Sequence, residues 1–394
     1  MELEVEGLRG LAALMVLYTH LLAPNHDVDP GFQPAEFWYA FEAGQGAVLL
    51  FFVLSGYVIG LTNQGPFSGA AGRQYLWRRF VRLVPLCWLA IAVSVLVLPV
   101  DGWGTILGNV FFLHNQLPYG PVHVPLLAAN TNLWSLNYEA LYYLLFTGVW
   151  AWSLGAMRPL VASGILVALG LTVPGFPPWL TNYAAGWMFW LAGYGLSSAP
   201  RTPDDGARWP WPSLLLFGLA CWKMKPLFFL ARRLGLDAPI PGWVNITFID
   251  FIPVCAALVM IVAWRRPRFA WLLVYGGAAS PVLFMIWRIL RHRWFADELA
   301  IYDGLIVAGI LAWRFRPSLA LFRWAAPVGG IAYGIYIFQR PAQWFIAYNT
   351  WLPAGTWLTF VLRGLVITAL TLGLAWLAEK KLQPVIRRQL IRTG

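Results

Sequence analysis

Arg9 and His20 are the residues with which this sequence could most plainly do chemistry. They bound an otherwise apolar stretch, Gly7-Leu8-Arg9-Gly10-Leu11-Ala12-Ala13-Leu14-Met15-Val16-Leu17-Tyr18-Thr19-His20. An ionisable side chain in a segment apolar enough for a bilayer is costly, and its presence is a functional-site hypothesis. The two lie eleven residues apart, about 1100° of helical rotation, so they share one face to within roughly 20° and stand roughly 16 Å apart along it. A permanent cation at one end and a titratable base on the same stripe suit an elongated anionic substrate.

Three further constellations carry polar groups into apolar surroundings. Phe51-Phe52-Val53-Leu54-Ser55-Gly56-Tyr57 places a hydroxyl, a glycine and a phenol in one helix. Gly56 permits close helix approach, and Ser55 or Tyr57 is a candidate hydrogen-bonding group in a buried site. In Arg78-Arg79-Phe80-Val81-Arg82, Arg79 and Arg82 share a helical face. Such a pair can fork onto phosphate or serve as an ordinary anchor that touches anionic lipid. Trp134-Ser135-Leu136-Asn137-Tyr138-Glu139 opens another apolar run, with Ser135 and Tyr143 four residues either side of Glu139 on its face. That carboxylate needs a partner or a wet cavity. It reads either as a structural pair or as a group that orients an imidazole or binds substrate.

The elements that must position these residues follow from composition. The 394 residues are 59% hydrophobic and 11% charged, with mean hydropathy +0.63; a water-soluble domain carries about a quarter charged residues. The chain therefore reads as all-α, one polytopic transmembrane helical bundle over 1–394. Candidate spans are 8–23, 44–63, 84–99, 133–155, 160–173, 181–197, 213–230, 244–264, 270–289, 299–313, 325–346 and 357–378, giving ten to twelve crossings. Loop 64–83 carries Arg73, Arg78, Arg79 and Arg82, and the tail carries Lys380, Lys381, Arg387, Arg388 and Arg392. Loop 24–43 holds Asp27, Asp29, Glu36 and Glu42 without Lys or Arg. The positive-inside rule thus puts both termini in the cytoplasm. It also accounts for the net charge of +11 without nucleic acid as a partner.

The first span is not expected to be a signal peptide, because its flank is acidic and no small-residue cleavage site precedes Pro24. Cys87, Cys221 and Cys255 lie in apolar runs and read as core residues. No metal site is expected. His26, His114, His123 and His292 read as solvated or capping histidines, with His114 near a possible acceptor cleft. The connection 199–212 reads as a cytoplasmic loop and 379–394 as an interfacial basic helix interrupted at Pro384.

Taken in order, Arg9–(ten residues)–His20, Phe52-Val53-Leu54-Ser55-Gly56-Tyr57, Arg79-Phe80-Val81-Arg82, Trp134-Ser135-Leu136-(two residues)-Glu139 and Gly330-Ile331-Ala332-Tyr333-Gly334-Ile335-Tyr336-Ile337-Phe338 resemble the blocks of the acyltransferase-3 family of bacterial integral membrane acyltransferases. The resemblance implies transfer of an acyl group, usually acetyl, from cytoplasmic acyl-CoA to a sugar hydroxyl of a cell-surface glycan or exopolysaccharide. It implies catalytic His20 and Glu139, acyl-CoA contacts from Arg9, Arg79 and Arg82, and a bacterial inner-membrane location. Acyl-CoA is then a co-substrate, with no permanently bound cofactor. Where the family often ends its penultimate helix in His-x-Pro, this chain reads Phe338-Gln339-Arg340-Pro341, which makes Arg340 a candidate contact for an anionic acceptor. Region 199–313 matches no block, and no appended soluble domain is expected.

Chemistry agrees with the resemblance. Transfer from a thioester to a hydroxyl needs a base near neutrality, and histidine titrates near 6.5. Neutral His20 would take the acceptor proton, Glu139 would orient or stabilise the ring, and Ser55, Tyr57, Trp134, Ser135 and Asn137 are candidate oxyanion or substrate contacts. The alternatives are a transporter or flippase of a lipid-linked glycan and an acyltransferase with a small-molecule acceptor.

Overall fold

The structure is a computed structural model that describes residues 2–22, 28–100, 102–115, 123–202, 209–235, 246–348 and 352–392. His26, Asp27 and part of the 199–212 connection lie outside the described residues. Within them every regular element is helical, as the composition requires. In chain order these are α1 (Leu3–Leu22), α2 (Gly44–Thr62), α3 (Gly69–Val97), α4 (Trp103–Val110), α5 (Trp134–Ala151), α6 (Met157–Thr172), α7 (Pro178–Ser197) and α8 (Trp211–Met224). There follow α9 (Pro226–Arg233), α10 (Ile252–Val262), α11 (Ala270–Leu290), α12 (Ala300–Leu311), α13 (Ala320–Gly329), α14 (Ala332–Ala347), α15 (Trp357–Trp376) and α16 (Gln383–Arg392).

Among the described residues, six helical segments are long and apolar enough to cross a membrane, and the bent pair α13–α14 makes a seventh if taken as one span. The expected ten to twelve crossings would also need α6, α10 and α12, which are short, and α5 and α7, whose Asn, Tyr and Trp residues lower their hydropathy. The arginines expected in a loop at 64–83 instead stand on α3. No breaker separates Gly69 from Pro85, and Ser68 caps the helix by accepting the Ala71 N–H at 3.1 Å.

The described chain forms two compact units: Met1–Leu8, Gln45–Gly65 and Ser153–Ala326 in one, and Arg9–Gly44, Pro66–Trp152 and Pro327–Gly394 in the other. In the first, a Cβ on Gly56 would collide with the Trp190 carbonyl, and one on Gly193 with that of Val53. Backbone therefore meets backbone between α2 and α7, the close approach that Gly56 suggested. Arg288, 2% exposed, is held by Asp303 at 2.9 Å and Asp297 at 2.7 Å, so this intramembrane charge is fully paired.

The second unit is organised by prolines inside helices. Proline has no N–H, so the carbonyl four residues earlier loses its helical partner. Pro85 thereby frees the Val81 carbonyl of α3, which accepts Gln383 Nε2 from α16 at 2.7 Å. Pro341 frees the Ile337 carbonyl of α14, which accepts Asn130 Nδ2 at 2.9 Å. The preceding Tyr336 carbonyl takes Asn132 Nδ2 at 3.0 Å. Asn130 and Asn132 belong to a 3-10 segment, Ala128–Leu133, that leads directly into α5. Pro384 does not interrupt the tail. It sits in the first turn of α16, and the ladder upstream relaxes into a π-helical turn, Leu377–Leu382.

Asp29 closes one end of this unit. Fully buried, it accepts the Gly31 and Gly355 N–H groups at 2.9 Å each and the Thr359 hydroxyl at 2.6 Å. Burial pushes its carboxyl up, but these hydrogen bonds and the Arg363 charge outweigh it and hold the group below its ordinary value.

Asn130→Ala should lower the thermal midpoint of the detergent-purified protein, because a buried carbonyl left unpaired costs roughly 1–3 kcal/mol. Pro341→Ala in the same background should recover much of the loss, since the N–H it restores can rebond Ile337. Further destabilisation by the second change would refute this account. Asp29 contributes stability at neutral pH that persists down to its unfolded-state value of 3.8 and disappears as pH falls through its lower folded value. Asp29→Asn should therefore be less stable at pH 7 and lose that acid-limb dependence in unfolding midpoints measured from pH 7 to pH 3.

Candidate active site

His20 occupies the last turn of α1, which ends at Leu22. With the helical rise it stands roughly 16 Å from half-buried Arg9. Its backbone carbonyl, one of the orphans of a helix C-terminus, accepts Gln343 Nε2 at 2.8 Å. Gln343 Oε1 in turn accepts Arg340 Nη1 at 2.7 Å. Arg340 is 6% exposed and lies over the Trp344 ring at 5.6 Å. The side chains of Arg340 and Gln339 neighbour the imidazole itself. The ring's Nδ1 is buried without a hydrogen-bond partner among the described residues, although His20 as a whole keeps accessible surface. A buried polar atom with unused capacity is uncommon and calls for a reason.

A second cluster forms where α3 faces α5. Tyr143 donates its hydroxyl to Glu139, one turn earlier on α5. The Arg79 guanidinium lies over the rings of Tyr75 at 5.7 Å and Tyr143 at 5.8 Å. Arg79 Nε is buried without a hydrogen-bond partner, so this cation is framed by aromatic faces. Glu139 thus belongs to the arginine–tyrosine cluster, whereas the charged neighbour of His20 is Arg340. The sequence expectation of a Glu139–His20 pair is not the arrangement seen.

Arg82 is held differently. Both of its terminal nitrogens bond Glu379, one at 3.1 Å, and its guanidinium lies over Tyr333 at 5.5 Å. Glu379 is 7% exposed, sits on the π-helical turn and also accepts the Gly334 N–H at 3.2 Å. Tyr333 donates to the Leu83 carbonyl at 2.7 Å. The Arg82 side chain is nevertheless 42% exposed, so one of its faces remains accessible.

Several expected contacts are committed elsewhere. The Asn137 amide donates to the carbonyls of Phe112 and His114 at 2.6 Å each, which uses both of its N–H groups and leaves none for an oxyanion. Tyr336 donates to the Asn132 carbonyl at 2.7 Å, so it accepts from Ser135 at 2.7 Å and takes that proton too. Trp134 packs edge-on against Tyr138. Ser55 and Tyr57 belong to the other unit. There Tyr57 accepts Arg265 Nε at 3.0 Å and reaches Glu2 at 3.5 Å, which accounts for its hydroxyl, and Ser55 is half-buried. His114 is not solvated. It is 1% exposed with Nε2 at 2.9 Å from the Leu133 carbonyl, and burial pushes it down to about 4. His123 and His292 are exposed as expected.

The geometry can be set beside known proteins. The family model described as an acyltransferase domain, acyltransferase-3, matches residues 2–296. The chain belongs to the acyltransferase-3 family. Four of the five blocks read from the sequence fall within the matched residues, and the Gly330–Phe338 block lies beyond them. No curated protein and no solved structure matches the chain. With its apolar helices, the family makes this a multi-pass membrane acyltransferase.

Sequence reading missed Glu379, Gln339 and Gln343. Glu379 had a signal, since it is an acid placed directly before Lys380 and Lys381 at the end of an apolar run. Glu379→Gln should lower the thermal midpoint by several degrees, because a paired cation loses its counter-charge. Restoring the carboxylate one methylene shorter, with Glu379→Asp, should recover part of the shift in the same melting assay.

Proposed function

We propose that this protein transfers an acyl group, most simply acetyl, from acyl-CoA to a hydroxyl of a carbohydrate acceptor, with His20 as general base. One observation carries the reading: in a member of an acyltransferase family, the ring nitrogen Nδ1 of a helix-end histidine is buried, unpartnered and flanked by a guanidinium. The acceptor oxygen attacks the thioester carbonyl carbon while His20 takes the hydroxyl proton. The tetrahedral oxyanion collapses, the carbon–sulfur bond breaks, and the CoA sulfur leaves as thiolate and receives the proton from the imidazolium. Arg340 is the group beside the ring able to stabilise that oxyanion.

Donor binding falls to Arg9 and Arg79, whose charge suits the CoA phosphates. Arg82, tied to Glu379, holds α3 in place and offers its exposed face to the same ligand. Glu139 positions the aromatic frame of Arg79 through Tyr143. The arginine-rich side is the cytoplasmic one, with both termini there, in a bacterial inner membrane. The roughly 16 Å from Arg9 to His20 matches a pantetheine arm lying along α1.

Acetyl-CoA binding and slow acetyl-CoA hydrolysis by purified wild type, Arg79→Ala and His20→Ala test this. Arg79→Ala should weaken binding about tenfold, the loss of one charge-assisted contact. His20→Ala should bind normally and turn over at least about a hundredfold more slowly. Should wild type ignore acetyl-CoA and longer acyl-CoAs alike, the acyltransferase reading fails and glycolipid transport takes its place.

A further inference from the structure

Region 199–313 entered the fold without a role. With Arg316 it forms a cavity of about 300 Å³ lined by Trp209, Arg266, Arg268, Trp271 and Arg316, with Pro267 and Ala270 completing the lining. The lining contributes three guanidinium groups and no carboxylate. Arg266 lies over the Trp209 ring at 5.9 Å, and Trp209 packs against Trp271 at 4.9 Å between ring centres. The cavity therefore has aromatic walls and a cationic rim. It also opens at the amino end of α11, where the helix dipole adds positive potential.

What continues from the cavity is apolar. α11 is one of the membrane-length helices, and Phe269, Trp271, Leu272, Tyr275, Leu283 and Ile286 are exposed along it. Trp271 stacks on Tyr275 at 5.6 Å, so the aromatic wall runs on into that ridge. A cationic cup at the head of an exposed apolar ridge complements an anionic phospholipid, with its phosphate in the cup and its acyl chains along the helix. The volume lies at the small end of ligand cavities, about 300–1,000 Å³, and suits a headgroup. Basic pockets at the cytoplasmic edge of transmembrane helices bind anionic headgroups by this chemistry.

We propose that this cavity binds the phosphate headgroup of one anionic membrane phospholipid. The site is independent of the catalytic reading and is tested without activity. The full-length protein, purified in detergent, is exposed to phosphatidylglycerol or phosphatidylcholine, and retained lipid is counted by native mass spectrometry. Wild type should retain one phosphatidylglycerol and discriminate against phosphatidylcholine by about tenfold or more. Arg268→Gln with Arg316→Gln, two exposed side chains, should abolish that preference, and each single change should weaken it about threefold. The singles keep the test decisive if the double variant does not fold. Arg387→Gln with Arg388→Gln removes equal charge from exposed positions of α16 and should leave retention unchanged. Equal retention of both lipids, or equal loss from the α16 variant, would overturn the site. Full displacement of phosphatidylglycerol by millimolar inorganic phosphate would overturn the lipid as its occupant.

Discussion

A carbonyl without a partner in an apolar interior is the constraint on which the unit carrying His20 depends. Pro85 and Pro341 each create one, and neither water nor the helix itself can satisfy it. Side-chain amides do so: Gln383 for Val81, and Asn130 for Ile337. Each bond joins elements far apart in sequence. The first ties α3 to α16, and the second ties α14 to the segment that launches α5. The helices carrying Arg79, Arg82, Glu139 and Arg340 are thus fixed by directional bonds. Apolar packing alone gives no such register in a bilayer, because lipid competes for the same surfaces.

Arg79, Arg82 and Arg340 are held by three different physical means. Arg79 has aromatic faces, Arg82 a buried carboxylate, and Arg340 an amide and an indole. These differences set what each can do for a ligand. A guanidinium framed by π-faces keeps its full charge and most of its donors, whereas one forked onto a carboxylate has spent both on its partner. Arg79 therefore keeps more donor capacity than Arg82, although the two are equivalent by spacing alone.

Much of this was legible in the sequence. The low charge content and long apolar runs announced a helical membrane chain, and ordered short blocks announced the family. Gly56 announced close helix packing. Spacing correctly put Glu139 beside Tyr143, because i, i+4 relations survive in any helix, whereas Arg79 and Arg82 were expected in a loop and stand on α3. What stayed hidden depends on contacts between distant segments. Nothing near Arg82 indicates that Glu379, 297 residues away, will take its charge, and nothing near Asn137 indicates that its amide is committed to the 112–114 segment. Length and hydropathy alone do not confirm the ten to twelve crossings, because hydropathy penalises the Asn, Tyr and Trp that α5 and α7 use for packing and hydrogen bonding.

The replacement of a carboxylate by a guanidinium beside His20 bears on mechanism. In a serine-protease-like triad the acidic third member orients the ring and stabilises the imidazolium. Here Glu139 is engaged by Tyr143, and the group beside the ring carries positive charge. A cation cannot stabilise the imidazolium, but it can stabilise the oxyanion that forms as the proton is taken. Its fixed hydrogen bond to Gln343, which also binds the His20 carbonyl, locks cation and base into one rigid unit. Pre-set geometry of that kind is what electrostatic stabilisation needs, since a group already in place does not have to reorganise as charge develops. The Gln339-Arg340-Pro341 sequence then has one physical reading: the proline frees the carbonyl that docks α14, and the docked helix sets Arg340 beside the His20 imidazole.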